Sequence, residues 1–103
     1  MRELVFAEPQ TLTTELQPEV IRCLTYENIR DVDLELRQIS EKNGPAYHSM
    51  HEAYGVLLEE LDEVWDIARM KREDRPRNLL RKELVQIAAC AIRAIHSIDN
   101  FVG

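Results

Sequence analysis

The run Glu59-Glu60-Leu61-Asp62-Glu63 places four carboxylates inside a segment whose other residues follow an apolar helical pattern. Twenty residues after Glu63 a second acidic position, Glu83, stands in the equally apolar stretch Glu83-Leu84-Val85-Gln86. Residues three and four apart share one face of a helix. Glu60 and Glu63 therefore point the same way, as do Glu59 and Glu63, and as do Glu83 and Gln86. Two such helices packed side by side bring three or four acidic oxygens to one place. Carboxylates gathered in a poorly solvated groove repel one another unless something positive lies between them. Hard oxygen ligands suit magnesium or manganese, and in enzymes these ions usually hold a phosphate. The chemistry implied is metal-assisted reaction at a phosphate group.

The elements that must position these residues can be read from the same chain. Residues 1–17 contain Pro9 and the run Thr11-Leu12-Thr13-Thr14 without helical periodicity, and read as an extended arm or short strand. Pro18 suits the first turn of a helix and Glu19 its positive end. Ile29, Val32, Leu36 and Ile39 keep helical spacing, so a first helix is predicted from Pro18 to Glu41. Asn43-Gly44-Pro45 stops it, because Gly favours the left-handed cap and Pro cannot continue the helix. Ser49 and Glu52 have capping-box spacing and open a second helix, predicted from Met50 to Met70. Its apolar surface, Ala53, Leu57, Leu61, Val64 and Ala68 beside Tyr54, Leu58 and Trp65, is wider than one facing helix covers. A basic link, residues 71–77, leads past Pro76 to a third helix, predicted from Asn78 to Asn100, with Leu80, Leu84, Ile87, Ala91, Ile95 and Ile98 as its stripe.

Three helices with short links predict an all-α antiparallel bundle formed by residues 18–103. The surplus apolar surface predicts completion by self-association into a homodimer or homotetramer. The chain has 103 residues, enough for one core, with 45% apolar and 31% charged residues, the balance of a soluble globular domain. A formal net charge of −6 argues against general affinity for a nucleic acid polymer. Cys23 and Cys90 show no Cys-x-x-Cys spacing, and Cys90 sits in an apolar run as a small hydrophobe. No signal peptide and no apolar run of about 20 residues is visible, so a cytoplasmic location without a membrane is expected.

The paired acidic motifs, with the flanking His51-Glu52-Ala53-Tyr54, Glu63-Val64-Trp65-Asp66 and Glu83-Leu84-Val85-Gln86-Ile87-Ala88-Ala89, resemble the MazG-like all-α nucleoside triphosphate pyrophosphohydrolases. That superfamily pairs Glu-Glu-x-x-Glu on one helix with Glu-x-x-Asp on the next. The resemblance spans residues 20–100 and is most specific over 48–96. It implies cleavage of a nucleoside triphosphate between the α and β phosphates, with Mg2+ or Mn2+ held by Glu60, Glu63 and Glu83 and with Glu59 as a neighbouring carboxylate; on chemical grounds Glu59, or another carboxylate not holding metal, is the candidate to orient or deprotonate the attacking water. Gln86 occupies the position of the superfamily's Asp and offers a neutral carbonyl, a weaker ligand than a carboxylate. Lys82 and Arg93 are candidate phosphate contacts, as are Arg81, Lys71, Arg72 and Arg75; Trp65 is a candidate for stacking on the base, although a core or interface aromatic is the simpler reading of it.

Against this stands the plainer reading of Glu59 to Glu63 as a solvated face. His48 and His51, three apart, read as capping or surface groups, and His96 as a favourable charge at a helix C-terminus. A noncatalytic helical oligomer, acting as a nucleotide-sensing or protein-interaction module, is the alternative function, and Gln86 is the residue that favours it.

Overall fold

A computed structural model describes residues 23–102, and among these every element is helical, 80% of residues, with no strand. Helix α1 spans Tyr26–Asn43, α2 Met50–Ala68 and α3 Arg77–Ser97, with short 3-10 turns at Arg72–Asp74 and Ile98–Asn100. The chain divides into two units, residues 1–30 and 31–103. The predicted arm over residues 1–17 lies outside the described residues.

In the first unit the described residues carry the start of α1. Pro18 was the expected start; residues 18–22 lie outside the described residues, and 23–25 are not helical. Thr25 sets the boundary instead. Its hydroxyl accepts from the Asn28 backbone N–H at 3.1 Å, and its carbonyl accepts from Ile29 N–H at 3.0 Å. The Asn28 amide also donates to the Cys23 carbonyl at 3.2 Å. The bond to the Thr25 hydroxyl satisfies a backbone donor that a helix N-terminus otherwise leaves open.

In the second unit the three helices pack on one another. Helix α1 ends at Asn43, where Gly44 takes φ 87° and its N–H returns to the Ser40 carbonyl at 2.9 Å. Ser49 caps α2 by accepting from Glu52 N–H at 3.1 Å. Glu52 reaches back to the His48 N–H at a long 3.4 Å, one residue earlier than the usual capping box. Helix α2 stops two residues short of the predicted Met70. There the Arg75 side chain donates to the carbonyls of Ala68 (2.8 Å) and Met70 (3.2 Å), satisfying acceptors of the helix end. The regular part of α3 stops at Ser97 rather than Asn100. The Ser97 hydroxyl donates to the Arg93 carbonyl at 2.6 Å and accepts from Tyr47 N–H at 2.9 Å, a local bond that competes with continuation of the helix.

Direction follows from the cross-links. Tyr47 meets Ser97 (2.9 Å) and His48 meets Val102 (2.7 Å), so the start of α2 lies against the end of α3 and the two run antiparallel. Asp31 pairs with Arg81 (2.8 Å) and the Asn43 carbonyl with Arg93 (3.1 Å), so α1 runs parallel to α3. Small side chains hold α2 and α3 close: Ala53 and Ala89 have no exposed surface.

The core is thin. Tyr47, Ala53, Ile67, Ala89 and Cys90 are the buried apolar residues among those described. At about 100° per residue, Met50, Tyr54, Leu58, Leu61 and Trp65 fall on one stripe of α2, and all are exposed. Leu84 and Ile95 form an exposed stripe on α3 with Ala91 between them, and Ile98 of the following turn extends it. Because the helices are antiparallel, the two stripes lie on the same side of the pair and make one apolar face. The carboxylates of α2 lie roughly opposite that face.

Candidate metal centre

Helices α2 and α3 bring Glu60, Glu63 and Glu83 together, with one oxygen of each within 4.8 Å of the others. Glu60 and Glu63 are one helical turn apart, and the antiparallel register sets both against Glu83. Their environments differ: Glu63 is exposed, Glu60 half-buried, and Glu83 only 9% exposed.

The crowding shows in protonation. Burial pushes the Glu60 carboxyl above its ordinary value of 4.5, the neighbouring charge of Glu63 adds to this, and a hydrogen bond with Glu83 opposes it. Glu63 is also raised, first because it shares a hydrogen bond with Glu83 and then by the charge of that carboxylate. The leading influences on both are carboxylates and burial, and none is a cation.

Gln86 stands beside the triplet. With its amide nitrogen facing the carboxylates, it donates to Glu60 at 3.0 Å and to Glu83 at 3.1 Å. Turned about its terminal bond, the same amide presents its carbonyl oxygen to the site. The donor set is therefore three carboxylates and one amide oxygen, with no nitrogen or sulfur ligand in the cluster. That composition fits a hard divalent cation such as magnesium or manganese.

The other expected residues are distributed differently. Glu59 is exposed, four residues before Glu63 on the neighbouring face, and outside the triplet. Lys82 is exposed and lines a shallow groove with Glu35 and Asn78 on the flank of α3. Arg81 is paired with Asp31, and Arg75 with the carbonyls that end α2. Trp65, 62% exposed, belongs to the outer apolar face, roughly opposite Glu63 around α2. Arg93 is 4% exposed and lies about 15 Å along α3 from Glu83. Its guanidinium donates to the carbonyls of Asn43 (3.1 Å), Gly44 (2.9 Å) and Ala46 (3.2 Å) and sits 4.1 Å from the centre of the Tyr47 ring. It holds the α1–α2 connection in place.

Two residues go beyond the sequence expectations. Glu35 of α1 lines a groove with Glu60 and Gln86, and its charge helps raise Glu60. Its signal was available: it lies three residues after Val32 and four before Ile39, inside the apolar stripe of α1. Tyr47, 2% exposed, comes from a loop without periodicity and carried no signal.

Comparison of the chain with known protein families, curated proteins and solved structures finds no match. Among the described residues no helix is long and apolar enough to cross a membrane.

Proposed function

We propose that this chain is a metal-dependent nucleoside triphosphate pyrophosphohydrolase of the MazG-like kind, releasing a nucleoside monophosphate and pyrophosphate. One observation carries the reading: Glu60, Glu63 and Glu83, from two helices, converge within 4.8 Å, and no cation is among the leading influences on Glu60 or Glu63. Glu60, Glu63 and Glu83 would hold Mg2+ or Mn2+, with the Gln86 carbonyl as the fourth ligand. When bound, the ion supplies charge neutralisation and Lewis-acid polarisation at the phosphate. Glu59, on the adjoining face and free of the triplet, accepts a proton from the attacking water. Lys82, exposed next to Glu83, contacts the outer phosphates. The apolar face of α2 and α3 packs on a second copy, giving a homodimer or a tetramer built from such dimers. The test is magnesium-dependent pyrophosphate release from a panel of nucleoside triphosphates, with calorimetric titration of magnesium alone beside it.

The noncatalytic alternative draws on Gln86. Its amide already links Glu60 to Glu83 and relieves part of their repulsion without a metal. A nucleotide-sensing or protein-interaction module would give no pyrophosphate release and weak magnesium binding.

A further inference from the structure

Helix α1 is tied to its neighbours toward its two ends and stands off them between. None of its 18 residues is buried, and its apolar stripe of Val32, Leu36 and Ile39 is only half-buried. Toward its start Arg81 of α3 donates to Asp31 at 2.8 Å, an ion pair whose side chains keep 44% and 25% of their surface exposed. At its end Arg93 Nη2 donates to the carbonyls of Asn43, Gly44 and Ala46. Those bonds fix the connection, where Gly44 takes φ 87°, rather than the body of the helix. Between the two ties a groove of about 590 Å³ opens, lined by Glu35, Gln38 and Lys42 of α1 and by Glu60 and Gln86 of the facing helices.

Glu35 is the α1 carboxylate that shares this groove with the triplet. Burial and the charge of Glu63 lead in pushing the Glu60 carboxyl up, and Glu35 adds its charge to theirs. Among the described residues Glu35 has no ion-pair partner. A fourth negative charge thus faces the cluster from a helix that buries no residue. Like charges across a poorly solvated gap repel, and an ion of opposite sign between them reverses the force. We infer that residues 31–43 of α1 form a lid on the carboxylate groove, opened by repulsion between Glu35 and the acidic triplet and closed when a divalent cation occupies the triplet. The connection at Gly44 is the pivot, and the Arg81–Asp31 pair is the latch. Segments with few buried apolar contacts open at lower free energy than the rest of a fold, and lids belong to that class. The inference rests on the cation site of the reading above and concerns its regulation; it does not require hydrolysis.

Hydrogen exchange of the full chain, read by mass spectrometry on peptides from each helix, makes the test. A helix undocked from its neighbours barely holds its own hydrogen bonds in water, so lid opening exposes the amides of α1 to exchange. In chelator, at matched ionic strength, the amides of residues 34–38 are expected to exchange about tenfold faster than those of residues 88–92 in α3. Excess magnesium chloride is expected to slow the α1 amides about fivefold or more, and those of α3 much less. Glu35→Gln removes the repulsion, so it should slow α1 in chelator and shrink the magnesium effect. Arg81→Met removes the latch and should speed α1 about two- to fivefold. A Glu35 that merely holds α1 in place would speed exchange when replaced, and that result overturns the inference. So do α1 amides no faster than those of α3, magnesium slowing the helices alike, or unchanged α1 exchange in Arg81→Met. A chain that closes α1 on magnesium but releases no pyrophosphate keeps the lid and loses the catalytic reading. A chain that releases pyrophosphate while α1 exchange ignores magnesium loses this inference alone.

Discussion

Gln86 stands one turn beyond Glu83 on α3, and its amide ties that carboxylate, at 3.1 Å, to Glu60 on the facing helix, at 3.0 Å. A neutral donor thus occupies the gap between two acids where a cation would otherwise be required. The same side chain makes the cluster tolerable without a cation and, on the proposed function, would limit how strongly the site attracts one.

Gln86→Asp is therefore expected to move stability in opposite directions with and without metal. In chelator the variant loses both hydrogen bonds and adds a fourth charge, costing about 1–3 kcal/mol of folding stability. In magnesium the added carboxylate tightens binding, and part of that loss is recovered through binding linkage. Urea unfolding in chelator and in magnesium measures both arms; a variant equally stable to the native chain in chelator would mean the amide bridge contributes nothing.

Glu63→Gln is expected to abolish magnesium-dependent pyrophosphate release while leaving the helical fold intact. Glu63 is exposed, so nothing in the core depends on it, but on the proposed function the substitution removes one of three charged ligands and much of the field that would hold the ion. Far-ultraviolet circular dichroism checks the fold, and unchanged turnover would place any catalysis elsewhere.

The acidic triplet was legible because the helical repeat is strict. Once Glu60, Glu63 and Glu83 fall inside apolar stripes, the packing that buries the stripes also brings the acids together. Helix ends set by side chains far along the chain were not legible: Arg75 fixes the end of α2, and Ser97 meets a loop residue 50 positions away. Arg93 illustrates the same limit. Its charge suggested a phosphate contact, whereas one of its terminal nitrogens, Nη2, is shared by three main-chain carbonyls at the α1–α2 connection, and only the folded connection reveals them. Trp65 was ambiguous because an aromatic on a stripe reads alike whether a base, a core or a second chain covers it.

Stability without metal is expected to fall as pH rises above 4.5. Both Glu60 and Glu63 have folded-state values above that ordinary figure, so in the window above it the folded chain binds more protons than the unfolded one. Under that condition unfolding becomes easier with increasing pH. Denaturant unfolding in chelator from pH 4.5 upward measures the slope, which Glu63→Gln should reduce. A stability that instead rises through this window would show that the clustered carboxylates are not under strain.

Ser97→Ala is expected to cost about 1–3 kcal/mol. Ser97 has no exposed surface, and its hydroxyl accepts from the Tyr47 N–H while donating to the Arg93 carbonyl. Alanine fills nearly the same volume but strands a buried backbone donor, which is the costly half of the exchange. Thermal unfolding by circular dichroism gives the number, and a loss under about 0.5 kcal/mol, the range of ordinary surface substitutions, would mean that water replaces the hydroxyl.

The exposed stripes of α2 and α3 lead to the last expectation. Tyr54, Leu58, Leu61, Trp65, Leu84 and Ile95 are each 43% to 68% exposed and lie on one side of the helix pair. Between them fall Ala88 and Ala91 and no charged residue, so the face is neutral as well as apolar. A face of this kind does not repel a second copy of itself, and two copies related by a two-fold axis would bury it as a four-helix layer with the carboxylates left outward. Light scattering coupled to size exclusion should give a mass of at least twice the 12.0 kDa chain at micromolar concentration. Leu61→Glu, which sets two like charges against each other across that axis, should shift the population to monomer while keeping the helical spectrum. A native chain that runs as a monomer over the same range would remove self-association, and with it the assignment of Trp65 to an interface between copies.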